Sequence, residues 1–161
     1  MYYLAQEKEK VLIECDPDEF ILKAIGFSKK SIRHEGGIGN VVKKVDSIPG
    51  SKGMIDEDPQ GTHPRALDRF DNYGEEHGLR LLKKIGCEDQ QLVVVCPYLE
   101  EWLYIVARQQ GVDPMEYSLP RDPKQLHAID HVEEYQGFKR FVDALKGSPG
   151  FDRLRMWLTG N

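Results

Sequence analysis

Glu14 directly follows the apolar run Val11-Leu12-Ile13, and Asp56-Glu57-Asp58 directly follows Lys52-Gly53-Met54-Ile55. Glu100 lies just beyond Gln91-Leu92-Val93-Val94-Val95-Cys96, a continuously apolar and β-branched segment. Carboxylates brought together repel one another and raise each other's pKa, and a divalent cation relieves that conflict. Mg²⁺ and Mn²⁺ take oxygen ligands in near-octahedral geometry. Residues at i and i+2 of an extended segment point the same way, so Asp56 and Asp58 are placed to face one ion while Glu57 points elsewhere. A pair of such ions suits in-line displacement at a phosphodiester. Each acid also has a plainer use: Asp-x-Asp makes turns and helix caps, and Glu100 complements a helix N-terminus. Glu14 has fewer structural reasons to end an apolar strand. One reading unites them as a metal site of Glu14, Asp56, Asp58 and Glu100, with Glu14, Asp56 and Asp58 as catalytic carboxylates.

These residues converge only if the segments before them are neighbouring parallel strands with their carboxyl ends together, where open α/β sheets collect functional groups. The pattern supports that. After Val11–Ile13, Asp16-Pro17 reads as an N-cap with proline at the first helical position, and Phe20, Ile21, Ala24 and Ile25 recur at helical spacing up to Gly26. Ser31–His34 is a weak second strand, followed by Gly36-Gly37-Ile38-Gly39 and a short helix through Val41, Val42 and Val45. Residues 60–78 read as loop with a short helix around Ala66–Phe70, and Leu79–Lys84 as an additional strand. Pro97 opens a helix with Leu99, Trp102, Leu103 and Val106 on its buried stripe and Gly111 at its end. Alternating strands and helices predict an α/β fold with a mostly parallel sheet between helices. The remainder is helical: Asp122-Pro123 is a start signal, Val132, Tyr135, Phe138, Val142 and Leu145 share a face of a longer helix, and Phe151, Leu154, Trp157 and Leu158 mark a last short one.

With 161 residues, 40% hydrophobic and 30% charged, the chain reads as a single domain over residues 1–161, its core about 10–110 and its helical part about 120–161. No apolar stretch approaches the ~18 residues a membrane span needs, and Met1–Lys10 lacks signal-peptide order, so a cytoplasmic location without membrane association is expected. A net charge of −5 argues against a broad basic surface. The three cysteines match no zinc spacing, and Cys15 and Cys96 read as buried free thiols. His127 and His131 lie one helical turn apart but lack a third ligand. His34 lies near the acids and could donate to phosphate, and the Gly36–Gly39 turn could cradle one.

The ordered residues Val11-Leu12-Ile13-Glu14, Gly36-Gly37-Ile38-Gly39 and Met54-Ile55-Asp56-Glu57-Asp58 resemble the Toprim family, the metal-binding domain of topoisomerases, primases and overcoming-lysogenization-defect type nucleases. Pro97-Tyr98-Leu99-Glu100-Glu101-Trp102-Leu103 is similar to the Glu-x-Trp-Leu segment of small stand-alone Toprim-like proteins, favouring Glu100 over Glu101 without excluding Glu101. The resemblance covers residues 10 to 110 and departs at Cys15, where glycine often follows the first glutamate. It implies a Toprim-like, Rossmann-like fold and Mg²⁺- or Mn²⁺-dependent phosphoryl transfer, foremost nuclease action on DNA or RNA. Lys43, Lys44, Lys83 and Lys84 are candidates for basic residues beside such a centre. No ATP-binding Gly-x-x-x-x-Gly-Lys-Ser/Thr loop is present. A non-catalytic metal-binding module with a protein partner or a second copy of itself stays open, as does a phosphohydrolase with Asp56 as nucleophile.

Overall fold

The computed structural model describes residues 10–160. The chain is α/β and Rossmann-like. Its strands are β1 (Val11–Ile13), β2 (Ile32–His34), β3 (Lys52–Asp56), β4 (Phe70–Glu76), β5 (Leu79–Lys84) and β6 (Cys87–Val95). Its helices are α1 (Asp16–Ala24), α2 (Ile38–Ser47), α3 (Leu99–Gln110), α4 (Pro123–His127), α5 (Gln136–Leu145) and α6 (Pro149–Thr159). The six strands of the described residues form one sheet in the order β2-β1-β3-β6-β5-β4. β2, β1, β3 and β6 are parallel, whereas β5 and β4 continue the sheet antiparallel. In the β3–β6 register Met54 faces Val93 and Asp56 faces Val95. The acidic termini of β1 and β3 therefore emerge at the same sheet edge as the end of β6.

Alternation along the strands sorts side chains to two cores. Val11, Ile13, Met54, Val93 and Val95 pack with residues of α1, α3, α5 and α6. Leu12, Ile55, Leu92 and Val94 pack on the other face against Val41, Val42 and Val45 of α2. Gly53 is what lets α2 approach β3: a Cβ there would stand 2.8 Å from Val41 Cγ1. The C-terminal helices belong to the first core, since Phe138, Phe141, Phe151 and Leu154 are buried within it.

Several local expectations are corrected. The N-cap of α1 is Cys15, with Asp16 and Pro17 already in the first turn. The helix after Pro97 begins at Leu99. Phe70–Glu76 is a strand preceded by a 3₁₀ turn over Arg65–Arg69. Its polar Asp-Asn-Tyr-Gly-Glu-Glu composition hid it because β4 is an edge strand that buries only Phe70. β6 starts earlier than its apolar stretch: Cys87 pairs with Lys84 across a register shift in the hairpin, Cys87–Asp89 are exposed, and the buried Gln90 donates to Val45 O and Asp46 O of α2. The long helix through Val132 is shorter: Val132 lies in a 3₁₀ turn and Tyr135, which caps α5, is 52% exposed. Cys15 is exposed, against expectation, and Cys96 is a free thiol half-buried against the core on the α2 face of the sheet. Asp122 caps α4 through a side-chain bond from the Lys124 N–H, as its sequence predicts.

Candidate metal centre

Glu14 is the first residue past β1, and its side chain reaches sideways to the end of the neighbouring strand. Its Oε1 accepts the backbone N–H of Asp56 at 3.0 Å. Asp56 closes β3, and beyond it the chain turns. The Glu57 N–H still donates to Val95 O at 2.8 Å, and the Asp58 N–H to Pro97 O at 2.9 Å. Asp58 has a left-handed backbone, φ 46°. The extended i, i+2 geometry expected for Asp56 and Asp58 is thus replaced by a turn, yet both side chains line one cleft. Glu57 does point elsewhere, into an ion pair with Arg80 on β5. Gly61 leaves space for the Asp58 carboxylate, since a Cβ at Gly61 would overlap Asp58 Oδ2.

Two further acids approach from helix starts. Asp18, in the first turn of α1, is 2% exposed and accepts a hydrogen bond from the Cys15 thiol at 3.4 Å. Glu100, in the first turn of α3, is 6% exposed, and its Oε2 lies 2.9 Å from His127 Nδ1. Glu101, its neighbour, lines the cleft directly.

The electrostatics register this crowding. Burial, followed by the charges of Asp18, Glu14 and Glu100, pushes the Asp56 carboxyl up to about 9. Burial and then Glu14 push Asp18 up to about 7. Glu14 is raised as well, by burial first and by Asp58, against the lowering effect of the Asp56 N–H. Asp56 Oδ1 is buried and has no hydrogen-bond partner. An orphaned carboxylate oxygen among oxygen donors fits the requirements of a hard divalent cation. Glu14, Asp56, Asp58 and Glu101 line the cleft, whereas Asp18 and Glu100 are buried and do not line it, and the acids do not close to coordination spacing. Among the described residues, the sets with three ligand atoms within 4.8 Å of one another are Asp16–His131–Glu133 and Asp16–Glu19–His34, neither of which includes Glu14, Asp56, Asp58 or Glu100.

The cleft, about 550 Å³ in volume, is lined by Glu14, Asp56 and Asp58 together with Tyr98, Lys124 and His127. Lys124, absent from the basic candidates read in the sequence, is the lysine that lines it, while Lys43, Lys44, Lys83 and Lys84 do not. Lys84 is held by Asp46 at 3.2 Å, and Lys83 lies over the Tyr73 ring. His127 and His131 do not share a helical face, because α4 ends at His127. His127 serves Glu100, and His131 contacts Glu133 at 3.4 Å. His34 is drawn to Asp16 and Glu19, at 3.8 and 3.7 Å, and does not line the cleft. Gly36 and Gly37, with φ 72° and 143°, form the turn into α2.

Asp18 was legible through one signal. It falls at i, i+3, i+4 and i+7 with Ile21, Leu22 and Ile25, the apolar stripe of α1, where an acid is out of place. Lys124 and His127 carried no such signal, since only the tertiary docking of α4 on α3 brings them to the sheet edge. No family model, no curated protein and no solved structure matches the chain. Among the described residues no helix is long and apolar enough to cross a membrane.

Proposed function

We propose that this chain is a Mg²⁺- or Mn²⁺-dependent phosphoryl-transfer protein, a Toprim-like nuclease acting on DNA or RNA phosphodiesters. The observation that carries the reading is Asp56. Its Oδ1 is buried without a partner, and its carboxyl is pushed up to about 9 by burial and by neighbouring acids, at the wall of an open cleft. Such strongly shifted groups in clefts are functional-site candidates, because burying like-charged acids beside one another costs a fold stability unless the site is used. Glu14, Asp56 and Asp58 would hold the cation, with Glu100 behind Asp56. The bound cation would supply charge stabilisation and a lowered pKa for its water.

The protein's own groups have separable tasks in this reading. Glu14 fixes the end of β3 through the Asp56 N–H. His127 orients Glu100 through Nδ1, in the manner of outer partners that set carboxylate direction at metal sites. Lys124 offers the cleft a positive charge for a phosphate oxygen. The test is cleavage of single- and double-stranded DNA and RNA by purified protein with Mg²⁺ or Mn²⁺. Metal-dependent cleavage that disappears in Asp56→Ala is the expected result, and equal activity in Asp56→Ala and wild type would sink the mechanism.

A second reading is a non-catalytic metal-binding module that docks a protein partner. It is favoured by the open spacing of the carboxylates and by the paired state of Arg80, the cation nearest Glu57. It requires metal-dependent stabilisation without turnover on any nucleic acid.

A further inference from the structure

Two clefts meet at the Asp56–Asp58 turn. One is the cleft of about 550 Å³ between the carboxylates and α4. The other, of about 430 Å³, lies beyond the turn and is walled by Leu67, Phe70, His63 and Arg80. Ile38, Asp56, Asp58 and Pro59 belong to both, so the acids form a ridge with a hollow on either side. We infer that the substrate is a single-stranded nucleic acid crossing this ridge, with one nucleotide in each hollow and the phosphodiester between them over the carboxylates. This rests on the phosphoryl-transfer reading above.

Shape argues first. Both hollows fall within the ~300–1,000 Å³ range of small-ligand clefts, large enough for a nucleoside. A duplex keeps its bases stacked inside and has to extrude a nucleotide to fill such a hollow, whereas a single strand presents its bases freely. The walls argue second. The Tyr98 ring stands 5.2 Å from that of His127, tilted by 55°, and both rings line the larger hollow, where one of them can stack on a base. Stacking on aromatic side chains is the sequence-tolerant way in which proteins hold single strands.

Charge argues third. Lys124 is exposed on α4, which is anchored by the fully buried Leu126, so its amino group is available to a phosphate. The basic side chains of the smaller hollow are already engaged, Arg80 by Glu57 and His63 by Asp68. With a net charge of −5, attraction of the side chains to phosphate is local to Lys124 in the larger hollow, which suits a short stretch of one strand better than a duplex tracked along its backbone.

The experiment compares fluorescein-labelled single-stranded DNA, single-stranded RNA and blunt duplex DNA of one sequence. Cleavage is followed in Mn²⁺, and binding by anisotropy with Ca²⁺ in place of Mn²⁺, for wild type, Asp56→Ala, Lys124→Glu and Tyr98→Leu. Both single strands are expected to be bound and cut at least about tenfold better than the duplex, the DNA and RNA arms ranking the sugars. Lys124→Glu and Tyr98→Leu are expected to raise KM by about fivefold or more while leaving kcat near wild type. Equal binding and cutting of duplex, or unchanged KM in both variants, overturns the inference. Cleavage that needs metal and Asp56 but ignores strandedness overturns it alone. Absence of cleavage on all substrates in Mn²⁺ overturns the function beneath it too.

Discussion

The backbone N–H of Asp56 donates to Glu14 Oε1 at 3.0 Å, so the last residue of β3 is fastened by the first residue past β1. This bond makes Glu14 part of the frame as well as of the site. Glu14→Gln keeps an acceptor for the Asp56 N–H and removes the charge. Glu14→Ala removes both. Glu14→Gln is therefore expected to fold with near-wild-type stability and to lose Mn²⁺ affinity by about tenfold or more, whereas Glu14→Ala also loses about 1–3 kcal/mol of stability by leaving the amide unsatisfied. Calorimetric Mn²⁺ titration and urea denaturation of the two variants separate the roles. Equal stability of both would show that the bond does not support the frame.

Asp56 makes metal-free stability depend on pH. Its folded-state value of about 9 lies above the ~3.9 of an unfolded aspartate. Between those values the folded protein holds more protons than the unfolded chain, so stability falls as pH rises through the window. Asp18, pushed up to about 7, acts in the same direction over the lower part of it. Denaturation in EDTA between about pH 5 and about pH 9 should show that decline, and Asp56→Asn should flatten it and stabilise the protein by about 1–3 kcal/mol at the alkaline end. Mn²⁺ displaces the protons, so its affinity should climb as pH rises. Metal-free stability that grew towards pH 9 would contradict the buried, protonated state of Asp56.

Gly61 tests whether the position of Asp58 matters. A methyl group at Gly61 would collide with Oδ2 of the Asp58 carboxylate. Gly61→Ala should displace Asp58 and lower Mn²⁺ affinity about tenfold with little change in fold. Gly39→Ala, where a Cβ meets nothing within 4 Å, should leave affinity unchanged. Gly61→Ala with wild-type Mn²⁺ affinity would remove Asp58 from the proposed ligand set.

How far the sequence led can be judged from particular residues. The parallel core was legible because Val11–Ile13 and Leu92–Val95 are buried on both faces and so read as continuous apolar runs. Glu14 and Asp56 were legible because acids end the apolar strands β1 and β3. β4 was not legible, since an edge strand wears solvent-facing polar groups and loses its alternation. Tyr135 misled because it continues a helical spacing while standing outside the helix as its cap. Lys124 and His127 could not be read because their place is set by packing across α3 and α4.

Gly53 gives a stability prediction free of any functional reading. Its missing side chain is what lets α2 pack against β3, since a Cβ on Gly53 would have Val41 Cγ1, Val45 Cγ2 and Leu92 Cδ2 within 3.1 Å. None of these is the far end of a long flexible chain, and all three residues are fully buried. Gly53→Ala is expected to destabilise by about 1–3 kcal/mol through overpacking. A urea melt without a loss in midpoint would mean that α2 can lift from β3 at no cost.

Glu100 and Glu101 are adjacent in sequence but are offered different chemistry by the fold. Glu100 is buried, contributes to the field that raises Asp56, and is held by His127 at 2.9 Å. Glu101 is half-buried at the cleft wall, beside Tyr98 and Lys124. If Glu100 supports the cation, neutralising it removes a charge behind Asp56 that solvent cannot replace, while Glu101 acts only from a position that solvent reaches and screens. Glu100→Gln should lower Mn²⁺ affinity by about tenfold, and His127→Gln, by releasing Glu100, should follow in the same direction by less. Glu101→Gln should stay within about twofold of wild type. Parallel calorimetric titrations of the three variants decide the matter. A larger loss in Glu101→Gln than in Glu100→Gln would move the ligand role to the cleft-facing residue and leave the buried Glu100–His127 pair as a structural clasp between α3 and α4.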